Sequence, residues 1–249
     1  MTGLLWFAAS LLPLLILQRR LHWEVQAIFL LLTRRQDITI ILFSLLFFPG
    51  VLLHETSHWI VARLLQVKTG RFSLLPQPLP DGKLQMGYVE TARADVFRET
   101  LIGAAPMITG GAFTAYAGLM GLGLLTLWQI SLGGSLQGLL LALRDMARQP
   151  DFGLWLYLTL VVSSTMLPSA SDRRAWLPLA GILASLAALA LFMGAGPWMA
   201  ANLAPRLDQA LQAAAVVLVV SDVVHAALLP PLWVVRRVLQ RLTGLQVML

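Results

Sequence analysis

The chain alternates between long apolar runs and short charged breaks. Apolar stretches near residues 3–17, 38–65, 101–125, 152–168, 175–199 and 209–235 are bounded by charge, much of it in the pairs Arg19-Arg20, Arg34-Arg35, Arg173-Arg174 and Arg236-Arg237. A helix crossing a bilayer needs about 20 predominantly apolar residues. The pattern therefore predicts an all-α polytopic membrane protein with about six transmembrane helices. Residues 21–32 mix His22 and Glu24 with Ile28-Phe29-Leu30, and read either as a helix lying at the interface or as the return of a hairpin. Residues 100–143 carry no charge and are too many for one simple span at a rise of about 1.5 Å per residue. We expect one crossing to about residue 125, a break at Gly133-Gly134, and residues 128–143 at the interface.

One connection, residues 68–99, is long and hydrophilic. Within it Pro80-Asp81-Gly82-Lys83 is a turn signal between residues 71–74 and 84–89, which predicts a small membrane-associated β-hairpin after the second apolar helix. No repeat or appended soluble module is visible. Residues 1–249 are accordingly expected to form a single integral membrane domain.

Composition supports the membrane class. Hydrophobic residues make up 58% of the chain and charged ones 12%, with a mean hydropathy of +0.77, beyond the range of water-soluble domains. The net charge of +6 comes from arginines that flank apolar runs, as at membrane boundaries, and forms no nucleic-acid patch. The absence of cysteine excludes disulfides, thiolate zinc sites and a cysteine nucleophile. The first 17 residues lack a basic start and a small-x-small cleavage site, so an uncleaved first helix is expected. Trp6, Trp23, Trp128, Trp155, Trp176, Trp198 and Trp233 fall mostly near span ends and read as an interfacial belt.

The candidate chemistry lies in His54-Glu55-Thr56-Ser57-His58, inside the second apolar helix. Helical geometry puts His54 and His58 one turn apart on one face, where both imidazoles reach one Zn²⁺, while Glu55 approaches the metal's water. Zinc lowers the pKa of that water toward about 7, and a carboxylate then serves as general base. Ionisable groups inside a membrane helix cost about 2–3 kcal/mol each on insertion scales, which argues against a chance HExxH here. Pro49-Gly50 just upstream predicts a bend or a close helix contact. A catalytic zinc takes a third protein ligand, for which Asp172, Asp222 and His225 are the candidates. Asp222 and His225 share a helix face, and a hydrogen bond between them would let them orient a ligand, serve as one, line a polar path or tie helices together.

These residues resemble the site-2 protease family of intramembrane zinc metalloproteases over residues 38–175. The HExxH element is complete, Gly103-Ala104-Ala105-Pro106 approximates the family's Gly-Pro motif, and Thr165-Met166-Leu167-Pro168 followed by Asp172 approximates NxxP and Asp-Gly. The sequence departs from the pattern at Thr165, which replaces Asn, and at Arg173, which replaces Gly. One residue fewer separates Pro168 from Asp172. The resemblance implies that Asp172 completes a zinc site with His54 and His58, that Glu55 is catalytic, and that Pro106 and Thr165 belong to the surroundings of the ligands or to the substrate path. In that core the flanking helices cover residues 1–37 and 176–249.

One crossing within residues 100–143 brings the HExxH half of its span, Pro106 and Asp172 toward one membrane face. A weak excess of basic residues on the face holding residues 68–99 and the C-terminus makes that face cytoplasmic, in the plasma membrane if the source is prokaryotic. The expected partners are the lipid bilayer and a membrane-protein substrate held in extended form against the hairpin edge, with no nucleic acid. A catalytically silent scaffold of the same fold is the alternative, and a metal or ion carrier using His54, His58, Asp222 and His225 a third reading.

Overall fold

The computed structural model describes residues 2–78, 84–134 and 136–247. The turn expected at Pro80-Asp81-Gly82-Lys83 lies outside them. The described chain is mostly helical: α1 (Thr2–Thr33), α2 (Gln36–Leu64), α3 (Val96–Tyr116), α4 (Leu124–Leu132), α5 (Leu136–Ala147), α6 (Phe152–Thr165), α7 (Trp176–Phe192), the short α8 (Gly196–Trp198) and α9 (Ala204–Thr243). Short π-helical turns extend α3 and precede α9. Strands β1 (Thr69–Ser73), β2 (Gln77–Pro78), β3 (Leu84–Gln85) and β4 (Tyr88–Thr91) lie between α2 and α3. β1 pairs antiparallel with β4, and β2 with β3, so the expected hairpin is present in two short ladders with an irregularity between Thr69 and Phe72.

Three helices, Thr2–Thr33, Gln36–Leu64 and Gly196–Thr243, are long and apolar enough to cross a membrane. The bent pair Val96–Gly121 and Leu124–Ile130 makes a fourth if it is one span. The expected count of six is not reached, because α6 and α7 have only 14 and 17 residues, short of the roughly 20 that a full crossing needs. The expected first span, 3–17, also ended too early. α1 continues through Arg19-Arg20 to Thr33, so residues 21–32 are neither interfacial nor a hairpin return but the second half of one helix.

The reason is a partner distant in sequence. Glu24 accepts two bonds from the Arg236 guanidinium, 2.5 Å from Nε and 3.1 Å from Nη2, and the pair is buried. Arg236 also donates to Gln240 and lies over the Trp23 ring. At the other end of the pair the Gly3 amide donates to Asp208. α1 and α9 therefore run parallel and close along their length.

Residues 100–143 divide as glycine permits. After α3 and its π turn the chain bends 57° into α4, through Gly123 at φ 65°, and Gly134 at φ 67° precedes α5; positive φ is readily adopted by glycine. α3 is thus the single long element of the stretch, and α6 returns antiparallel to it. The centre of the bundle is α2, α3 and α6, with α1 and α9 covering α6. Leu21 and Val25 of α1, Phe43 and Phe47 of α2, Leu160, Val161 and Val162 of α6 and Val224 of α9 meet Leu122 in one apolar cluster. Every residue of α6 from Thr159 to Ser164 is buried. Close approach depends on glycine: a Cβ at Gly50 would overlap the Val161 carbonyl, and one at Gly121 would meet the Trp155 ring. At Pro49-Gly50 the close helix contact is therefore present.

The parallel packing of α1 and α9 separates the hairpin from the C-terminal arginines. α2 runs back from the α1 end, so the base of the hairpin lies beside the start of α1 while Arg236, Arg237 and Arg241 lie at the opposite end. The excess of basic residues on the hairpin face is lost with them. Because the chain has no cysteine, single-cysteine variants report this directly. Ala92→Cys and Leu242→Cys should react with a membrane-impermeant thiol reagent from opposite faces of sealed vesicles; labelling from the same face would refute the parallel arrangement.

Candidate metal centre

α2 carries His54, Glu55 and His58 at the level where α3 begins and α6 ends. Each histidine is oriented by a backbone carbonyl. His54 Nδ1 lies 2.6 Å from the Thr165 carbonyl oxygen, and His58 Nδ1 lies 2.8 Å from that of Ile102. A carbonyl only accepts, so each Nδ1 carries the hydrogen and donates it. In the neutral rings this leaves both Nε2 atoms with bare lone pairs. These two atoms face each other at 3.2 Å.

Both carbonyls are free for local reasons. Thr165 is the last residue of α6, where the final four carbonyls have no intrahelical partner and Pro168 prevents continuation. Ile102 lies four residues before Pro106 in α3, and proline lacks the N–H that would have bonded that carbonyl. This gives Pro106, itself buried, a concrete role: it frees the acceptor that holds His58. Thr165 acts through its carbonyl, while its hydroxyl bonds back to Val161 and Val162.

Asp172 arrives on the loop between α6 and α7. Its Oδ1 lies 3.3 Å from His58 Nε2 and its Oδ2 3.7 Å from His54 Nε2. The carboxylate is held by a reciprocal pair, since the Ser169 amide donates to Asp172 Oδ2 and the Asp172 amide to Ser169 Oγ, the geometry of a capping box. Gly103 lets the loop in: a Cβ there would overlap the Asp172 carbonyl oxygen. Arg174 bonds Glu99 near the start of α3, which pins the far side of the loop. Arg173 is exposed and donates to the Ser169 carbonyl, so it faces away from the carboxylate.

The ligand atoms of His54, His58 and Asp172 all lie within 4.8 Å of one another and form a group that could hold a metal ion. A tetrahedral ion with bonds of about 2.0–2.2 Å needs neighbouring ligand atoms about 3.3–3.6 Å apart; the two Nε2 atoms are 3.2 Å apart and His58 Nε2 is 3.3 Å from Asp172 Oδ1, while His54 Nε2 is 3.7 Å from the other carboxylate oxygen. Glu55 is 7% exposed, lies within electrostatic range of both histidines and Asp172, and makes no hydrogen bond or ion pair among the described residues. The hairpin lies against it. A Cβ at Gly87 would meet Glu55 Cγ at 2.9 Å and Val51 Cγ1 at 3.0 Å.

Asp222 and His225 do not join this group, and they do not bond each other. His225 is fully buried between α9 and α6, with Nε2 2.9 Å from Ser164 Oγ and Nδ1 2.7 Å from the Ser221 carbonyl. Asp222 Oδ1 is buried without a hydrogen-bond partner among the described residues. Sequence reasoning missed Ser169, although Ser169-Ala170-Ser171-Asp172 is the [ST]-x-x-[DE] pattern that marks a capping box. It also missed Gln18, whose Nε2 donates to the Ser164 carbonyl at 2.5 Å; nothing local signals that contact.

The fold and site define a helical protein with three or four helices long and apolar enough to cross a membrane and a partly buried His-His-Asp group packed between α2, the start of α3 and the loop after α6. Comparison with protein-family models, with curated proteins and with solved structures finds no match for the chain.

Gly103 offers the cleanest separation of Asp172 from the histidines, because its substitution touches no ligand. Gly103→Val should displace the loop and lower metal affinity at least about tenfold, as loss of a supporting contact does, with the helical content unchanged in circular dichroism. Undiminished affinity in this variant would show that the loop does not depend on the close approach.

Proposed function

We propose that the protein is an intramembrane zinc metalloprotease that hydrolyses a peptide bond in or near a transmembrane segment of another membrane protein. The observation that carries this reading is the convergence of four acceptors, the two bare Nε2 atoms and the two oxygens of Asp172, beside a glutamate that makes no hydrogen bond or ion pair among the described residues. Among the described residues only Asp172 Oδ2 of the four has a donor, the Ser169 amide; converging lone pairs repel one another, and a cation at their centre relieves that. Two histidines and one carboxylate, with the glutamate following the first histidine, are the donor set and spacing of a catalytic zinc. The resemblance to the site-2 protease family supports the same assignment, with His54, His58 and Asp172 as ligands.

A bound Zn²⁺ would supply Lewis acidity and make water in the site more acidic. Glu55 takes a proton from that water as its oxygen adds to the peptide carbonyl carbon. It then delivers the proton to the amine nitrogen as the C–N bond breaks, which regenerates the carboxylate. A buried carboxylate without a hydrogen-bond donor is costly, and a proton-transfer role explains its retention. The hairpin supports substrate binding: β1 and β4 form a two-stranded sheet with free edges, suited to adding an extended chain. The site works within an integral membrane protein, the plasma membrane in a prokaryote.

The test is zinc content and cleavage of tagged single-span substrates in liposomes. Wild type should hold one zinc and cleave. Glu55→Gln should keep the zinc and lose about 10²- to 10⁴-fold in rate, the usual contribution of a general base. Asp172→Ala should lose zinc and activity together. Zinc retained in all three without cleavage of any substrate would refute the protease and favour a silent scaffold, while a wild type without zinc would refute the metal centre.

A further inference from the structure

The last turn of α6 is held from outside the metal group, by the two helices that cover it. The other serine and threonine hydroxyls of α6 bond back into their own helix: Thr159 to Trp155, Ser163 to Leu160, Thr165 to Val161. Ser164 differs from them, and its Oγ reaches across to His225 Nε2 at 2.9 Å. The direction of this bond follows from the ring's other nitrogen. His225 Nδ1 lies 2.7 Å from the Ser221 carbonyl, which only accepts, so Nδ1 bears the hydrogen and Nε2 is the acceptor in the neutral ring. The Ser164 hydroxyl therefore donates to His225. The Ser164 carbonyl, one of the orphans at the end of α6, accepts from Gln18 of α1.

The next residue is Thr165, whose carbonyl orients His54. Its position is set by the peptide plane it shares with neighbours, and the adjoining Ser164 is clamped from α9 through its hydroxyl and from α1 through its carbonyl. We infer that Ser164 and His225, with Gln18, are positioning residues that hold the end of α6 so that the Thr165 carbonyl keeps His54 Nε2 aimed into the His54–His58–Asp172 group. This inference deepens the metal-centre reading and assigns the buried His225 a role outside the ligand set. His225 is wholly enclosed, and the alignment of its two ring nitrogens on α9 and α6 accounts for a histidine there. A leucine would fill the space and leave the Ser164 hydroxyl unpaired.

The experiment reads His54 directly, with and without metal, in the full chain in detergent micelles. Histidine ring-¹⁵N labelling gives one set of signals for each of the four histidines, and that of His54 is assigned by its loss in His54→Gln. In the metal-free wild type the His54 Nδ1–H should exchange slowly with water. Ser164→Ala and His225→Leu should each speed that exchange at least about tenfold through local opening, and lower zinc affinity about 10- to 100-fold, the usual effect of removing support behind a metal ligand. The double variant should be no worse than the weaker single one, because both break one chain of contacts. Glu24→Gln, which weakens the α1–α9 pair without touching Ser164, controls for general loss of stability and should leave the His54 proton as in wild type. His225→Asn, which retains an acceptor on a shorter arm, should recover part of the protection.

Exchange at His54 unchanged in Ser164→Ala and His225→Leu would overturn the inference, and so would an equal acceleration in Glu24→Gln. Ser164→Ala is a small change that keeps the result readable where His225→Leu fails to fold. A wild type that takes up no zinc, but whose His54 proton responds as stated, would refute the metal reading and leave the positioning role standing.

Discussion

Two backbone carbonyls decide what the histidines of α2 can do. A neutral imidazole has one donor and one acceptor nitrogen, and nothing in the ring chooses between them. The Thr165 and Ile102 carbonyls make the choice for His54 and His58 and send both lone pairs inward. Everything else about the site depends on those carbonyls being free and in place. They are free because α6 stops ahead of Pro168 and because Pro106 cannot bond back to Ile102. The prolines thus act at a distance of three and four residues, through the backbone groups they leave unpaired.

Being in place is a packing problem, and it is solved with glycine. Backbone-to-backbone contact between helices leaves no room for a side chain, and Gly50 and Gly103 occur where the Val161 and Asp172 carbonyls come closest. The first contact seats α6 on α2, which sets Thr165 beside His54. The second seats the loop on α3, which sets Asp172 beside His58. The same two contacts explain why α6 functions at 14 residues. It packs against α2, α3 and α9, with α1 reaching it through Gln18, so the free carbonyls at its C-terminal end find protein partners where a lipid-facing helix would need to reach water.

The sequence exposed the site better than the fold around it. HExxH spacing is local, and a helix converts it into geometry without further information. Asp172 is 114 positions from His58, and the sequence alone left it level with Asp222 and His225; the resemblance separated them, and the structure places only Asp172 among the histidines. The hairpin was readable from its turn and alternation. The extent of α1 was not, because the hydropathy pattern treats Arg19-Arg20 and Glu24 as an end, whereas Glu24 is neutralised by Arg236, 212 positions away. The same contact moved three arginines to the other end of the bundle and removed the charge bias. Six spans are not shown, because α6 and α7 have 14 and 17 residues; α6 is largely buried among other helices, whereas α7 has no buried residue.

The two buried glutamates show how the chain separates structural from chemical charge. Glu24 and Glu55 are equally enclosed, at 5% and 7% exposure. Glu24 has its charge met by a guanidinium on two oxygens, with a glutamine and an indole completing the surroundings of the arginine. Breaking such a pair costs about 3–5 kcal/mol, so Glu24 is fixed and its charge is spent on joining α1 to α9. Glu55 has no such partner among the described residues; Gly87 of the hairpin packs against it, and it lies within electrostatic range of His54, His58 and Asp172. A fold that needed only a buried carboxylate would have paired it, as this one does thirty-one positions earlier. An unpaired carboxylate next to converging lone pairs is intelligible when a cation gathers those lone pairs and the carboxylate is left free to take a proton.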